Sequence, residues 1–381
     1  MRVAIVGAGI AGLTAALSFA RIGWHVTVFE RVERIEPIGA GIQLSPNAMH
    51  VMHALGLERA INGVASAPRS IELKDAVDGR ALVSVPLGMA IERRFGAPYL
   101  SVHRGDLQQV MLDAARQNER VAIETGRAIE YDDHDLDAFD LRIFASGVHS
   151  NQRIEERPAE LTAWRALVQS RTLSRTIQAS STGVWLAPGA HLVHYPVRSG
   201  LETNLVLVLQ SGKERPENYA ATSAKWCEDA ASVVRSATEW RPWPITERMV
   251  REPWVRDKRV LIGDAAHAMW PFAAQGGAMA IEDGWSLAAQ VANGPSLATL
   301  AEWERERRRR RETVAAISRR NRSIYHATGM VRIARNIVMR SMPAAAMMRA
   351  MNGVYEWKPA LLPLSNMAQA TAPPEDRVTL H

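Results

Sequence analysis

The chain has 381 residues, of which 47% are hydrophobic and 23% are charged, a composition that is ordinary for a globular enzyme and argues against extensive disorder. Its single cysteine, Cys227, excludes an intrachain disulfide and any zinc site built on two or more cysteines of one chain, and it suits a reducing cytoplasm. The formal net charge is +6, and residues 302–322 alone carry nine arginines and four glutamates. We interpret this basic segment as a structural or oligomer-facing helix, with nucleic-acid binding as the alternative.

The first elements alternate between strand and helix. Residues 2–6 are predicted as a buried strand, residues 10–22 as a helix and residues 25–30 as a second strand, which predicts a βαβ unit and a parallel sheet. The apolar run 3–20 is also long enough for a signal peptide or a membrane helix. The spaced glycines within it and the strand that follows favour the βαβ interpretation, so we expect no membrane span.

A G-x-G-x-x-G pattern lies between the first strand and its helix. In this context the pattern is typical of a dinucleotide-binding turn. Gly7 is expected to permit the tight turn, Gly9 to let a pyrophosphate approach the backbone, and Gly12 to let helix and strand pack closely. Glu30, which ends the second strand, is placed to accept hydrogen bonds from a ribose. The predicted nucleotide contacts here are Gly7, Gly9, Ile10, Ala11, Gly12, Glu30 and Arg31. The pattern alone leaves open whether the dinucleotide is NAD or FAD.

The middle of the chain is predicted to contribute short strands between helices. The predicted elements are a helix at 45–55 with Pro46 in its first turn and Gly56 just past its end, a hairpin of strands 71–77 and 80–85 around Asp78-Gly79, a helix at 107–117, β-rich stretches at 161–169 and 183–210, and a helix at 226–238.

A second motif occupies residues 260–283. A buried strand at 259–263 ends beside Asp264, whose carboxylate is well placed to bind hydroxyl groups, and a helix at 276–291 begins at Gly276-Gly277. The positive end of that helix dipole suits a cofactor that becomes anionic when reduced, as a flavin does. Helices are predicted from residue 297 to about 351, and residues 370–381 are expected to fray.

Taken together, these motifs resemble the class A flavoprotein monooxygenases. The resemblance rests on residues 7–16 with Glu30, on the sequence His-Arg-Gly-Asp-Leu at 103–107, on residues 263–283, and on residues 39–48, and it extends to about residue 359. It implies an α/β fold: a Rossmann-like FAD-binding domain with an inserted β-rich substrate domain and C-terminal helices. The implied boundaries are FAD-binding parts at 1–69, 98–160 and 246–296, a substrate-domain hairpin at 70–97, a β-rich substrate domain at 161–245, and a helical segment at 297–381.

The resemblance also implies the cofactors and their contacts. FAD would be held with Asp264 on its ribityl chain and Arg104 near its pyrophosphate, and residues 271–277, including Gln275, Gly276 and Gly277, would flank the isoalloxazine. NAD(P)H would reduce the flavin without a nicotinamide domain of its own, since the chain has a single G-x-G-x-x-G.

The family reaction oxygenates a small aromatic or heteroaromatic substrate. NAD(P)H reduces the flavin, O2 adds at C4a, and the terminal oxygen of the hydroperoxide goes to an electron-rich carbon. We therefore expect a cytoplasmic monomer or homodimer that needs no metal and binds neither membrane nor nucleic acid. The alternatives are a flavin epoxidase or tailoring oxygenase acting on a non-phenolic substrate, and an FAD-binding protein that has lost turnover.

Candidates for the base that removes a phenolic proton lie at residues 191–196. The period of a strand puts His191 and Tyr195 on one face and His194 on the other. Imidazole has the pKa of a natural base near neutrality. We predict catalytic roles for His191, Tyr195 and His194, each with an ordinary sheet residue as the alternative, and a role for Gln275 in orienting substrate or flavin.

Several other residues are weaker candidates. Trp270 and Phe272 are predicted apolar walls, and Trp164-Arg165 either binds a substrate carboxylate or forms a salt bridge within the sheet. Ser146 departs from the family pattern, which has an aspartate that is associated with FAD and NAD(P)H contacts. Its presence is expected to leave FAD binding intact and to alter flavin reduction.

Overall fold

The computed structural model describes residues 1–37, 39–149, 159–174, 177, 181–212, 215–222, 226–246 and 253–362. Within these residues the strands are β1 (Arg2–Val6), β2 (His25–Glu30), β3 (Gly41–Leu44), β4 (Ser70–Asp75), β5 (Ala81–Pro86), β6 (Leu100–His103), β7 (Val121–Thr125), β8 (Leu141–Phe144), β9 (Leu161–Gln169), β10 (Thr182–Ala187), β11 (Ala190–Val197), β12 (Glu202–Gln210), β13 (Arg241–Ile245), β14 (Val255–Arg256) and β15 (Arg259–Leu261).

Helices lie between the strands along the chain and form most of its described C-terminal part. They are α1 (Ile10–Arg21), α2 (Pro46–Ala54), α3 (Glu58–Val64), α4 (Met89–Phe95), α5 (Arg104–Arg116), α6 (Pro216–Thr222), α7 (Glu228–Arg235), α8 (Asp264–His267), α9 (Gly276–Gln290), α10 (Leu297–Tyr325), α11 (Gly329–Ser341), α12 (Ala344–Ala350) and α13 (Asn352–Tyr355). None of the helices in the described part of the chain is long and apolar enough to cross a membrane.

The first layer is a six-stranded sheet in the order β14-β15-β8-β1-β2-β7. All neighbours pair in parallel except β14 with β15. Four of the five residues of β1 are fully or nearly buried, as expected for a parallel strand that is covered on both faces. Helices α1 and α9 pack against each other beside this sheet, and together they enclose the largest hydrophobic core. The predicted βαβ opening is confirmed, with α1 ending at Arg21.

The second layer is a seven-stranded sheet in the order β13-β9-β12-β11-β10-β4-β5. Its neighbours are antiparallel except β10 with β4. One face packs on α7 through a core that includes Trp185, Leu205 and Val233. The opposite face is turned toward the first layer, and the space between the layers is the site described below.

The predicted hairpin turn and the predicted start of α5 are wrong for identifiable reasons. The hairpin turn is wider than two residues, because the buried carboxylate of Asp75 accepts the Val77 amide at 2.8 Å and ends β4 there. Helix α5 begins at Arg104, three residues before its predicted start. Gly105 in its first turn weakens the sequence signal, yet a Cβ there would lie 2.3 Å from the Pro37 backbone, so close packing requires the glycine.

The Arg-rich segment forms the 29-residue helix α10, and much of its charge is used internally. Arg308 pairs at 2.7 Å with Glu304, which lies four residues earlier on the same helix face. Arg307 is buried and bonds to Glu282 and Asp283 of α9. These contacts support the structural interpretation of the segment. The continuous helical region expected up to residue 351 is divided into α10 to α13, with Gly329 and Pro343 at two of the breaks.

Candidate active site

A cavity of about 1730 Å³ lies between the carboxyl ends of the parallel strands and the inner face of the seven-stranded sheet. This volume exceeds the range of roughly 300–1,000 Å³ that is usual for a site holding one small ligand. The carboxyl edge of a parallel sheet is where α/β proteins commonly bind nucleotides. The cavity is therefore large enough for a cofactor and a substrate together.

The three fingerprint glycines have the three environments that the pattern predicts. Gly7 has a φ of +105°, and a Cβ there would lie 2.7 Å from the carbonyl oxygen of Ala145. A Cβ on Gly12 would lie 1.9 Å from the carbonyl oxygen of Gly7, so the first turn of α1 packs directly on the backbone that follows β1. Gly9 instead meets nothing within 4 Å and lines the cavity, which leaves the start of α1 open to a phosphate.

Glu30 stands at the end of β2, beside this turn. Its carboxylate accepts the amide of Ala8 at 2.8 Å and that of Val32 at 3.2 Å, which fixes its side chain at the cavity wall. Each carboxylate oxygen accepts more than one hydrogen bond, so capacity remains for ribose hydroxyls. Arg31 is exposed and also lines the cavity, as does Arg104 at the start of α5.

A further part of the cavity wall is formed by Asp264 and the start of α9. Asp264 follows Gly263, whose φ is +60°, and its exposed side chain lines the cavity. The residue before α9, Gln275, makes no side-chain cap, and the position of a Cβ on Gly276 is open space. The first amides of a 15-residue helix thus face the cavity with their partial positive charge.

These features fit FAD. The open Gly9 turn and Glu30 match a pyrophosphate and a ribose, and Asp264 matches a polyhydroxyl chain. The uncapped start of α9 matches a ring that gains negative charge on reduction. When bound, FAD would supply the redox and oxygen chemistry, and the residues of this chain supply binding, orientation and proton handling.

Gln275 does not face the cavity. It is 2% exposed, its amide nitrogen donates to Ser45 Oγ at 3.0 Å, and its oxygen accepts from Asn47 Nδ2 at 3.0 Å. Asn47 also donates to Glu282 at 2.6 Å. The predicted contact of Gln275 with substrate or flavin is therefore not made by its side chain, which instead ties the loop before α9 to α2.

Behind α9 this network continues into buried charges. Arg307 bonds to Asp283 at 2.7 Å and to Glu282 at 2.9 Å, and all three side chains are at most 3% exposed. Asp283 also accepts from His267 at 2.6 Å and from the Gly263 amide at 2.8 Å. Burial alone would raise the pKa of Asp283, but His267 and Arg307 hold it at about 2. The network fixes both the strand end that precedes Asp264 and the helix that faces the flavin.

The inner face of the seven-stranded sheet carries the predicted base. His191 and Tyr195 of β11 both line the cavity, and each is about 95% buried. Burial lowers the pKa of His191 well below its usual value and raises that of Tyr195 well above it, so both are neutral near neutral pH. Gly41 permits this placement, because a Cβ there would lie 2.5 Å from Cε2 of Tyr195.

His194 points the other way, as the strand period requires. Its ring lies against Gly183 and borders a separate small cavity of about 260 Å³. Burial lowers its pKa to about 4. The catalytic role predicted for His194 is thus not supported by its position, since the sheet separates it from the large cavity.

The other residues that the sequence suggested for the site also differ in whether they line the cavity. Phe272 lines the cavity and packs on His191 with ring centroids 5.3 Å apart, whereas Trp270 packs against Arg322 outside it.

Arg165 lines the cavity and lies over the ring of Trp243. Among the described residues Arg165 forms no salt bridge, so the structure does not show the predicted alternative of a salt bridge within the sheet. Ser146 lines the cavity just after β8, next to the Gly7 turn.

Sequence reasoning missed the polar network and one histidine, His326. A signal for the network was present: Glu282 and Asp283 interrupt an otherwise apolar helix, and buried carboxylates require partners. An arginine-rich helix later in the chain is the obvious source of those partners. No local pattern marks His326, which follows α10 and reaches His191 across 135 residues of sequence.

Comparison with known proteins agrees with this geometry. Residues 1–157 and 166–318 match the family described as FAD binding domain. A 3-hydroxybenzoate 6-hydroxylase of Polaromonas naphthalenivorans is 32% identical over 93% of this chain and 96% of its own length. A 3-amino-4-hydroxybenzoate 2-monooxygenase of Streptomyces cremeus is 34% identical over 74% of this chain and 76% of its own.

Among solved structures, Klebsiella pneumoniae HpxO complexed with FAD and uric acid superposes with a TM-score of 0.80 at 24% identity, covering 93% of this chain and 96% of that one. The predicted fold, an FAD-binding protein with an added β-rich layer and C-terminal helices, is confirmed. The curated relatives are hydroxylases and monooxygenases, in agreement with the predicted class of oxidoreductase. The chain belongs to the FAD-binding-domain family of class A flavoprotein monooxygenases.

Proposed function

We propose that the protein hydroxylates a small aromatic or heteroaromatic substrate that carries an ionisable hydroxyl group, with FAD, NAD(P)H and O2. The observation that carries this proposal is the placement of His191 and Tyr195 on the sheet face that closes the same cavity as Asp264 and the start of α9. The names of the two curated relatives, both of which act on hydroxybenzoates, support the substrate class.

The chain's residues would bind the ring of the substrate between the two layers. Phe272 and Tyr325 offer aromatic surface beside His191, and Tyr195 offers a neutral hydroxyl that donates or accepts a hydrogen bond. The apolar lining of this region excludes water from the ring. Arg165, which lies on the same sheet face as Tyr195, is available to a substrate carboxylate.

His191 is the proposed general base. Its Nδ1 is occupied by a hydrogen bond to His326, so Nε2 is the ring nitrogen left to accept a proton from a hydroxyl in the cavity. Loss of that proton makes the ring carbon more electron-rich, which favours attack on an electrophilic oxygen. A general base of this kind contributes roughly 10²–10⁴-fold to a rate.

The test is a screen of hydroxylated aromatic acids and simple phenols for stimulated consumption of NADH or NADPH, with analysis of products. His191→Asn should lower product formation at neutral pH by roughly 10²-fold or more while the flavin is still reduced. His134→Asn, the same change at an exposed position, is the matched control and should have no effect. Equal product formation by the two variants would remove His191 from the mechanism.

A further inference from the structure

A second histidine stands directly behind the proposed base. His326 follows α10, and its Nε2 lies 2.8 Å from Nδ1 of His191, with the ring centroids 5.0 Å apart. Phe272 packs on both rings, at 5.3 Å from His191 and 5.6 Å from His326. Tyr325 completes the enclosure at 5.3 Å from His191. The pair is thus held in one geometry by aromatic packing from Phe272 and Tyr325.

Hydrogen bonding between two neutral imidazoles uses one proton. If Nδ1 of His191 donates this hydrogen bond, Nε2 of His191 carries a lone pair and can accept a proton from the substrate. If Nε2 of His326 donates instead, the proton of His191 is on its Nε2, and that nitrogen cannot accept another one from the substrate. The partner of Nδ1 therefore decides whether His191 can act. This is the relation by which the hydrogen bond at one ring nitrogen sets the chemistry of the other.

Burial, with a smaller contribution from neighbouring groups, keeps both rings neutral at rest. Burial lowers the pKa of His191, with His326 as the second cause, and burial followed by Arg322 lowers the pKa of His326 to about 4. Arg322 is itself paired with Glu160. Arg335 donates to the Tyr325 carbonyl, and its charge is balanced by Asp75 of β4.

The two rings also differ in what they face. His191 lines the cavity, whereas His326 is partly exposed without being part of the cavity lining, so its exposed edge is turned to outer solvent. The two imidazole rings, each with two nitrogens, and the one hydrogen bond between them therefore connect the substrate side of the sheet with the outside.

We infer that His326 is a positioning residue that holds His191 in its basic tautomer and passes the substrate proton to solvent. In this step the substrate O–H bond breaks and its proton binds Nε2 of His191. The Nδ1 proton of His191 moves to Nε2 of His326, and the Nδ1 proton of His326 leaves to water. One proton enters the pair and one leaves it, and no electron is transferred. The inference rests on the proposed function, because it requires a substrate hydroxyl in the cavity.

Two variants separate positioning from proton transfer. His326→Phe keeps an aromatic ring among Phe272 and Tyr325 but removes the acceptor, and His326→Gln keeps an acceptor that cannot carry a proton through. With 3-hydroxybenzoate and unsubstituted phenol as probes, His326→Phe should lower the hydroxylation rate at neutral pH by roughly 10–100-fold, since a general base contributes about 10²–10⁴-fold.

The loss should shrink as the pH rises toward the pKa of the free phenol, near 10, because the substrate then ionises without the pair. His326→Gln should show the same pH profile as His326→Phe, and flavin reduction by NAD(P)H should stay within about twofold of wild type in both. A wild-type hydroxylation rate in His326→Gln would refute the proton transfer through His326 and would support only its positioning of His191. An unchanged rate and pH profile in both variants would overturn the inference. His134→Phe is the control for the substitution itself.

A measurement that needs no turnover distinguishes failure of the inference from failure of the proposed function. Two-bond proton–nitrogen NMR spectra of the FAD-loaded protein, labelled at histidine nitrogens, report the tautomer of each ring. We expect His191 protonated at Nδ1 in the wild type and a mixture or the other tautomer in His326→Phe. A wild-type His191 protonated at Nε2 would refute the inference even if phenols are hydroxylated. A protein that shows the expected tautomer but oxidises no phenol would refute the proposed function.

Discussion

Replacing Arg307 by leucine removes the cation from the centre of the network behind α9. The site of this substitution is shielded from solvent, because Arg307 is 2% exposed and its two carboxylate partners are fully buried. Removing one partner of a buried ion pair costs roughly 3–5 kcal/mol, since the remaining charge has lost its compensation. Arg310 still reaches Glu282 at 2.8 Å and His267 still reaches Asp283, so we expect a loss of about 3 kcal/mol, at the lower end of that range.

The free energy of unfolding is measured by urea titration of the FAD-loaded protein, followed by tryptophan fluorescence. Arg309→Leu is the matched control on the exposed side of the same helix and should change stability by less than about 0.5 kcal/mol. A loss below about 1 kcal/mol for Arg307→Leu would refute the reasoning, because it would mean that the buried carboxylates do not need this cation.

The dependence of stability on acid pH is a second test of the same network. The pKa of Asp283 is lowered to about 2 in the folded protein, against about 3.9 when unfolded, so its contribution to stability is present above pH 4 and is lost as the pH falls toward 2. In Arg307→Leu the folded pKa rises toward its unfolded value. The variant should therefore lose less stability than the wild type over that acid range.

Three further substitutions test the cofactor site. Gly12→Ala places a Cβ 1.9 Å from the carbonyl oxygen of Gly7 and should destabilise the protein by roughly 1–3 kcal/mol in thermal unfolding, whereas Gly63→Ala, where no atom lies within 4 Å, should not. Asp264→Ala should raise the Kd for FAD roughly 10-fold or more in a fluorescence titration, and an unchanged Kd would exclude contact with the cofactor. Ser146→Asp should leave FAD binding intact and change the rate of flavin reduction or the preference between NADH and NADPH; identical stopped-flow reduction of the two proteins would show that this departure from the family has no mechanistic meaning.

The nucleotide half of the site was predictable because its signals are local. Gly7, Gly9 and Gly12 owe their roles to backbone geometry that a short motif records, and Asp264 lies three residues after the end of β15. Here the predicted element order is confirmed, and Gly7, Gly9, Glu30 and Asp264 line the cavity, whereas Gly12 packs against the Gly7 backbone instead.

The substrate half was predictable only in part. Strand period placed His191 and Tyr195 on one face correctly, but it could not tell which face meets the cavity, so His194 remained a candidate until the sheet order was known. Gln275 shows the same limit: its motif places it beside the flavin-facing helix, while its side chain is drawn into a buried network by Ser45 and Asn47. His326 depends on packing between α10 and β11, which no sequence spacing encodes.

We propose that this chain uses FAD and NAD(P)H to insert one oxygen atom of O2 into a hydroxylated aromatic ring. The most direct measurement is turnover under isotopically labelled 18O2 with a phenolic substrate found in the screen, followed by mass spectrometry of the product. We expect one labelled oxygen per product molecule in the wild type and little labelled product from His191→Asn. Consumption of NAD(P)H that yields only hydrogen peroxide, with no labelled product from any phenol tested, would contradict the account.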